Sequence, residues 1–133
     1  MLVVAICCGL LSFTGAAFAE GSWSSYLSAV ATDFNSRTWA DKNSDAANTT
    51  IRFDNCREHS GATFSNTEVQ LTRETPWYEP DENRGRKTFT CYSTYTGNWG
   101  RQPSSSYHFT ITKINGCSGC FYRLDANPVK VSY

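Results

Sequence analysis

The chain has no surplus of either charge: twelve Lys and Arg stand against twelve Asp and Glu. Without a field of one sign, nucleic acid and anionic membrane surfaces are poor partners. Leucine is scarce and the single methionine is Met1, which removes the usual filling of helical bundles. Histidine occurs only as His59 and His108, so the commonest general base has few places to stand. The chain contains no Gly-x-Ser-x-Gly elbow, no His-Glu-x-x-His pair and no glycine-rich phosphate loop. The common signatures of hydrolases, zinc proteases and nucleotide enzymes are therefore missing. Neither an internal repeat nor a low-complexity tail is present, and no catalytic residue, metal or cofactor is expected.

The first nineteen residues lack charge altogether and close on Ala17-Phe18-Ala19, the small-x-small ending that signal peptidase cuts. The run is short for a membrane span and a charged, serine-rich stretch follows at once. Residues 1–19 read as a signal peptide, with Glu20 the mature N-terminus and the product secreted and extracellular. About 114 residues then remain, the size of one small domain. Cys7 and Cys8 leave with the leader. Cys56, Cys91, Cys117 and Cys120 enter an oxidising space, where disulfides form.

Aromatic residues are plentiful, with eight Phe, seven Tyr and four Trp, and they favour sheets over helices. Period-two alternation marks strands at 49–54, around Val69 and Leu71, at 88–92 and most clearly over 107–112, with 121–125 and 129–133 completing six. Turn chemistry separates them at His59-Ser60-Gly61, Pro80 to Gly85, Thr96-Gly97-Asn98, Asn115-Gly116 and Asn127-Pro128. The expected fold is all-β: a small antiparallel β-sandwich, Ig-like or related, over residues 48–133.

Residues 20–47 behave differently. Trp23, Leu27, Val30 and Phe34 are spaced by four, three and four, which places them on one stripe of a short helix. Such a stripe must find a surface. It either packs over the sandwich or forms an extended or short-helical arm that docks on another protein; disorder is the third option. If it is an arm, deleting Glu20 to Phe34 leaves the β-domain folded.

Four cysteines allow three pairings. Cys117-Ser118-Gly119-Cys120 follows Asn115-Gly116, so a local disulfide closing a hairpin loop is preferred, leaving Cys56 and Cys91 to pair across the domain. A thioredoxin-type site needs a helix after the first thiol, and a four-thiolate zinc site needs a second close pair. Glu79, Asp81 and Glu82 form a carboxylate cluster beside Trp77 and Tyr78, but bases follow the acids in a proline-bracketed loop. That is the pattern of a solvated loop. Trp77, Tyr78 and Trp99 are either contact anchors or lids over the ends of a small core. Asn48-Thr49-Thr50 is a glycosylation sequon if the host is eukaryotic.

The run Asn35-Ser36-Arg37-Thr38-Trp39-Ala40-Asp41-Lys42-Asn43, followed by Cys56, Cys91, Gly97-Asn98-Trp99-Gly100 and Tyr107 to Ile114, resembles small secreted proteins of Streptomyces-like actinobacteria. It is similar to the adaptor subunit (UmbB type) of umbrella toxin particles. That resemblance implies a non-catalytic adaptor joining a lectin of degenerate trypsin-like fold to the repeat-bearing stalk of an antibacterial toxin. It also implies that the N-terminal segment enters the lectin's cleft. The expected partner-binding residues are Trp23, Tyr26, Leu27, Val30, Phe34, Arg37, Trp39, Trp77, Tyr78 and Trp99. The rivals are a stand-alone secreted effector or enzyme inhibitor and, third, a secreted hydrolase.

Overall fold

The computed structural model describes residues 19–63 and 66–133, so the expected signal peptide, Ala19 apart, lies outside the described residues. Among those described there are nine strands and no helix. The first sheet contains β1 (Ser22–Val30), β3 (Thr50–Asp54), β4 (Arg57–Glu58), β7 (Thr94–Asn98) and β9 (Leu124–Ser132). Their order is β1-β9-β3-β7, with β4 also pairing to β9. The second sheet contains β2 (Trp39–Asp41), β5 (Asn66–Glu74), β6 (Glu82–Thr90) and β8 (Ser105–Ile114), in the order β2-β8-β5-β6. Every pairing is antiparallel. The two sheets pack face to face as a sandwich.

The core follows from alternation. Ile51 and Phe53 of β3, Val69 and Leu71 of β5, and Tyr107, Phe109 and Ile111 of β8 all point inward and are buried. Fully burying each such side chain is worth about 1.5–3 kcal/mol. Register shifts interrupt the ladders at four places, one in β6 opposite Gln70–Thr72 and three that reset the core alternation. Ile111 and Ile114 both face the core because β8 carries an extra residue opposite Glu68–Val69. Ala126 and Val129 do so because β9 carries an extra residue at Asn127-Pro128, which is where a proline can sit inside a strand.

The third bulge corrects the helical reading of the N-terminal segment. Ser22–Val30 is a strand paired to β9, with Trp23 opposite Val131 and Leu27 opposite Ala126. A spacing of four keeps strand residues on one face. The spacing of three from Leu27 to Val30 arises where β1 carries an extra residue opposite Asp125. Ala29, with φ 52°, donates its N–H to Asp125 Oδ1 at 2.7 Å. A strand with one bulge thus imitates helical periodicity. Residues 20–47 give β1 to one sheet and β2 to the other, so they are part of the sandwich and not an arm beside it.

Both preferred disulfides are present, Cys56–Cys91 and Cys117–Cys120. The first ties the turn after β3 to the end of β6, and so clamps one sheet to the other. Four sequence readings shift. Glu82 to Lys87, expected in a turn and solvated loop, form the first part of β6, an edge strand. Thr96-Gly97-Asn98 lies within β7 and Asn127-Pro128 within β9, where turns were expected. Phe121, expected in a strand, stands on the loop between β8 and β9.

Candidate functional site

Five of the ten residues expected to meet a partner instead fill the protein's own core. Leu27 and Trp39 are buried, while Trp23, Val30 and Phe34 are partly buried against the same cluster. The Trp23 ring lies 5.9 Å from Trp39 and 6.3 Å from Phe109, and the Arg37 guanidinium stands 5.2 Å over it. Trp99 is a lid: its indole N–H donates to the Gly85 carbonyl at 3.0 Å and its ring packs on Phe89. Tyr26, Arg37, Trp77 and Tyr78 remain at the surface.

Of the exposed aromatic groups, the register places Trp77 and Tyr78 at one end of β8 and Phe121 at the other, while Tyr26 lies on β1 and Tyr92 follows β6. Glu74 of β5 pairs with Ser106, so the β5–β6 loop, with Trp77 and Tyr78, leaves the sandwich at the start of β8. Trp77 is 95 % exposed and meets Tyr78 edge-on, with centroids 5.7 Å apart. Thr75 supports the loop, its hydroxyl donating to the Glu79 and Pro80 carbonyls while its N–H donates to Asp81. At the far end of β8, Ile114 pairs with Thr67, and the loop that follows carries Cys117–Cys120 and then Phe121, which is 99 % exposed. The sequence reading missed Phe121 as an exposed aromatic residue. Its one local signal is its position directly after the closing cysteine of a small disulfide ring.

A polar network backs Phe121. The hollow beside it is lined by Glu58, Ser60, Ala62, Cys120 and Tyr122. Glu58 accepts from the Ser60 hydroxyl and N–H and from the Arg123 N–H. Those bonds, with the Ser60 hydroxyl foremost, hold its carboxyl down at about 2 against the burial that pushes it up. Next to it the His59 ring meets Asp125 at 2.9 Å. Burial pushes the Asp125 carboxyl up, but the Ala29 N–H and His59 outweigh it and the net direction is down. Ser60, the hydroxyl nearest His59 in sequence, gives its proton to Glu58 and not to the imidazole.

At the other end His108 meets Glu74 at 3.0 Å, and Glu74 also accepts from the Thr38 hydroxyl. Asp41 is buried in that region, and desolvation raises its carboxyl above the ordinary range although the Asn43 N–H works the other way. Glu20 accepts from the Ser44 hydroxyl and from the Lys42 and Ser44 N–H groups, which fastens the start of the described chain. Among the described residues no group of three or more His, Cys, Asp or Glu side chains is arranged to hold a metal, and no helix is long and apolar enough to cross a membrane. No protein-family model matches the chain, and no curated protein matches it.

Proposed function

We propose that the protein is a secreted, non-catalytic adaptor that holds two protein partners at opposite ends of one rigid sandwich. The observation that carries this reading is the placement of Trp77 and Tyr78 at one end of β8 and Phe121 at the other. Ten residues of β8 separate them, about 30 Å at roughly 3.3 Å per residue. Large aromatic groups are the usual anchors of interfaces, and an aromatic ring left bare in water has its apolar area uncompensated. The β8 ladder with β5 keeps the separation fixed.

The resemblance to umbrella toxin adaptors supplies candidate partners: a lectin of degenerate trypsin-like fold at one end and a repeat-bearing toxin stalk at the other, within an antibacterial particle. In this reading the N-terminal segment stays in its own sheet, because extracting β1 would strip Trp23 and Leu27 from the core. The test is affinity purification of the tagged protein from culture supernatant, followed by mass spectrometry, in three forms: wild type, Trp77→Ala with Tyr78→Ala, and Phe121→Ala. The expected result is two companions for the wild type and the loss of a different one in each variant. A wild type that is purified alone, yet inhibits growth or a protease unaided, instead supports the stand-alone inhibitor, whose contact would be the disulfide-closed Phe121 loop.

A further inference from the structure

An edge strand presents a row of unpaired N–H and C=O groups, and proteins ordinarily blunt such edges by shortness, charge, proline or bulges. Three of the four edges here are blunted or short. β2 is three residues long and β7 five; β6 is long but carries Glu82, Arg84, Arg86 and Lys87. β1 differs over Ser22–Leu27, which carries neither a charge nor a proline; its own bulge comes only between Leu27 and Val30. Its inner side pairs with β9, and no described strand pairs with its outer side.

Beside that open edge, between the sheets, lies a slot of about 100 Å³ lined by Trp23, Tyr26, Leu27, Phe34, Arg37 and Phe109. Its walls are mainly apolar, with Ser25, Ser36 and Arg37 as the polar part of the lining, and it has room for one aliphatic side chain. The Trp23 indole N–H is buried without a hydrogen-bond partner, and Arg37, though stacked over the Trp23 ring, makes no ion pair among the described residues.

We propose that the outer edge of β1 accepts an extended segment of a partner protein as an added strand, one that places an aliphatic side chain in the slot and an Asp or Glu against Arg37. Main-chain hydrogen bonds supply the attachment and the slot with its arginine supplies the selection. The bulge before Val30 bends the strand and confines pairing to Ser22–Leu27. A second copy of this chain fits less well, since β1 carries no acid and would leave both Arg37 side chains without an acidic partner. This site is separate from the two aromatic ends, so either reading can fail without the other.

The test selects displayed random linear peptides on the folded protein. Enriched peptides should share an aliphatic residue and an acid at fixed spacing. Arg37→Glu should weaken them about tenfold or more, a Lys-for-acid peptide should recover binding to that variant, and Trp77→Ala and Phe121→Ala should leave affinity unchanged. Hydrogen exchange at Ser22–Leu27 should slow in the complex. Peptides without an acid preference, peptides insensitive to Arg37→Glu, or a concentration-dependent dimer broken by Ser24→Lys would each overturn the proposal.

Discussion

Phe89 occupies the space that a side chain at residue 97 would need: a Cβ built on Gly97 comes within 2.7 Å of the Phe89 ring and 2.8 Å of the Trp99 ring. Both neighbours are packed rings with little freedom to withdraw. Gly97→Ala should therefore destabilise the fold by about 1–3 kcal/mol as overpacking. Urea unfolding should show a lower midpoint at unchanged slope. An unaltered midpoint would mean that the ring pair yields freely.

The two disulfides differ in the length of chain they close. Cys56 and Cys91 are 35 residues apart and Cys117 and Cys120 only three. On the chain-entropy model, replacing the first pair by alanine costs about 3–4 kcal/mol and the second no more than about 2. Calorimetry of the two double variants checks the order, and a larger loss from the small ring would contradict it.

Leu27 separates an integral strand from a docking arm. Leu27→Ala should cost about 2–5 kcal/mol as a core truncation, whereas Trp77→Ala and Phe121→Ala should each stay within about 0.5 kcal/mol. Deleting residues 20–34 should unfold the domain, because β9 would lose its β1 neighbour and the core its Trp23, Leu27, Val30 and Phe34 wall. Circular dichroism of the truncated protein decides this. A folded truncation would restore the independent arm.

Acid should act through Glu58. Its carboxyl sits at about 2 in the folded protein against an ordinary 4.5, so the stabilisation is complete above about 4.5 and is lost as pH falls towards 2. Asp125, also lowered, adds to the same slope. Glu58→Gln should flatten stability against pH across that window, and an unchanged slope would show that the Ser60 and Arg123 bonds do not favour the charged form.

Parts of this architecture were legible in particular residues. Tyr107 to Thr112 announced β8 because a half-buried strand writes alternation directly into sequence. The C-x-x-C spacing suggested its own ring and left Cys56 for Cys91. By contrast, Gly97 and Asn127-Pro128 carried turn chemistry, yet each lies within a strand where a close ring or a bulge makes it suitable. Phe121 was expected in a strand and Trp99 was left open between anchor and lid, for the same reason. Exposure is set by what packs nearby, and nothing local to either residue records it.

The sequence by itself determined the uncharged run over residues 1–19, the cysteine pattern and a sheet-forming, charge-balanced composition, since each rests on chemistry within a few residues. Only the tertiary structure decided that the greasy N-terminal residues complete the core and that Trp77, Phe121 and the β1 edge stay bare. The Ala29 N–H meets Asp125 across 96 positions of chain, and long-range pairing of that kind leaves no periodic trace in the sequence around either partner.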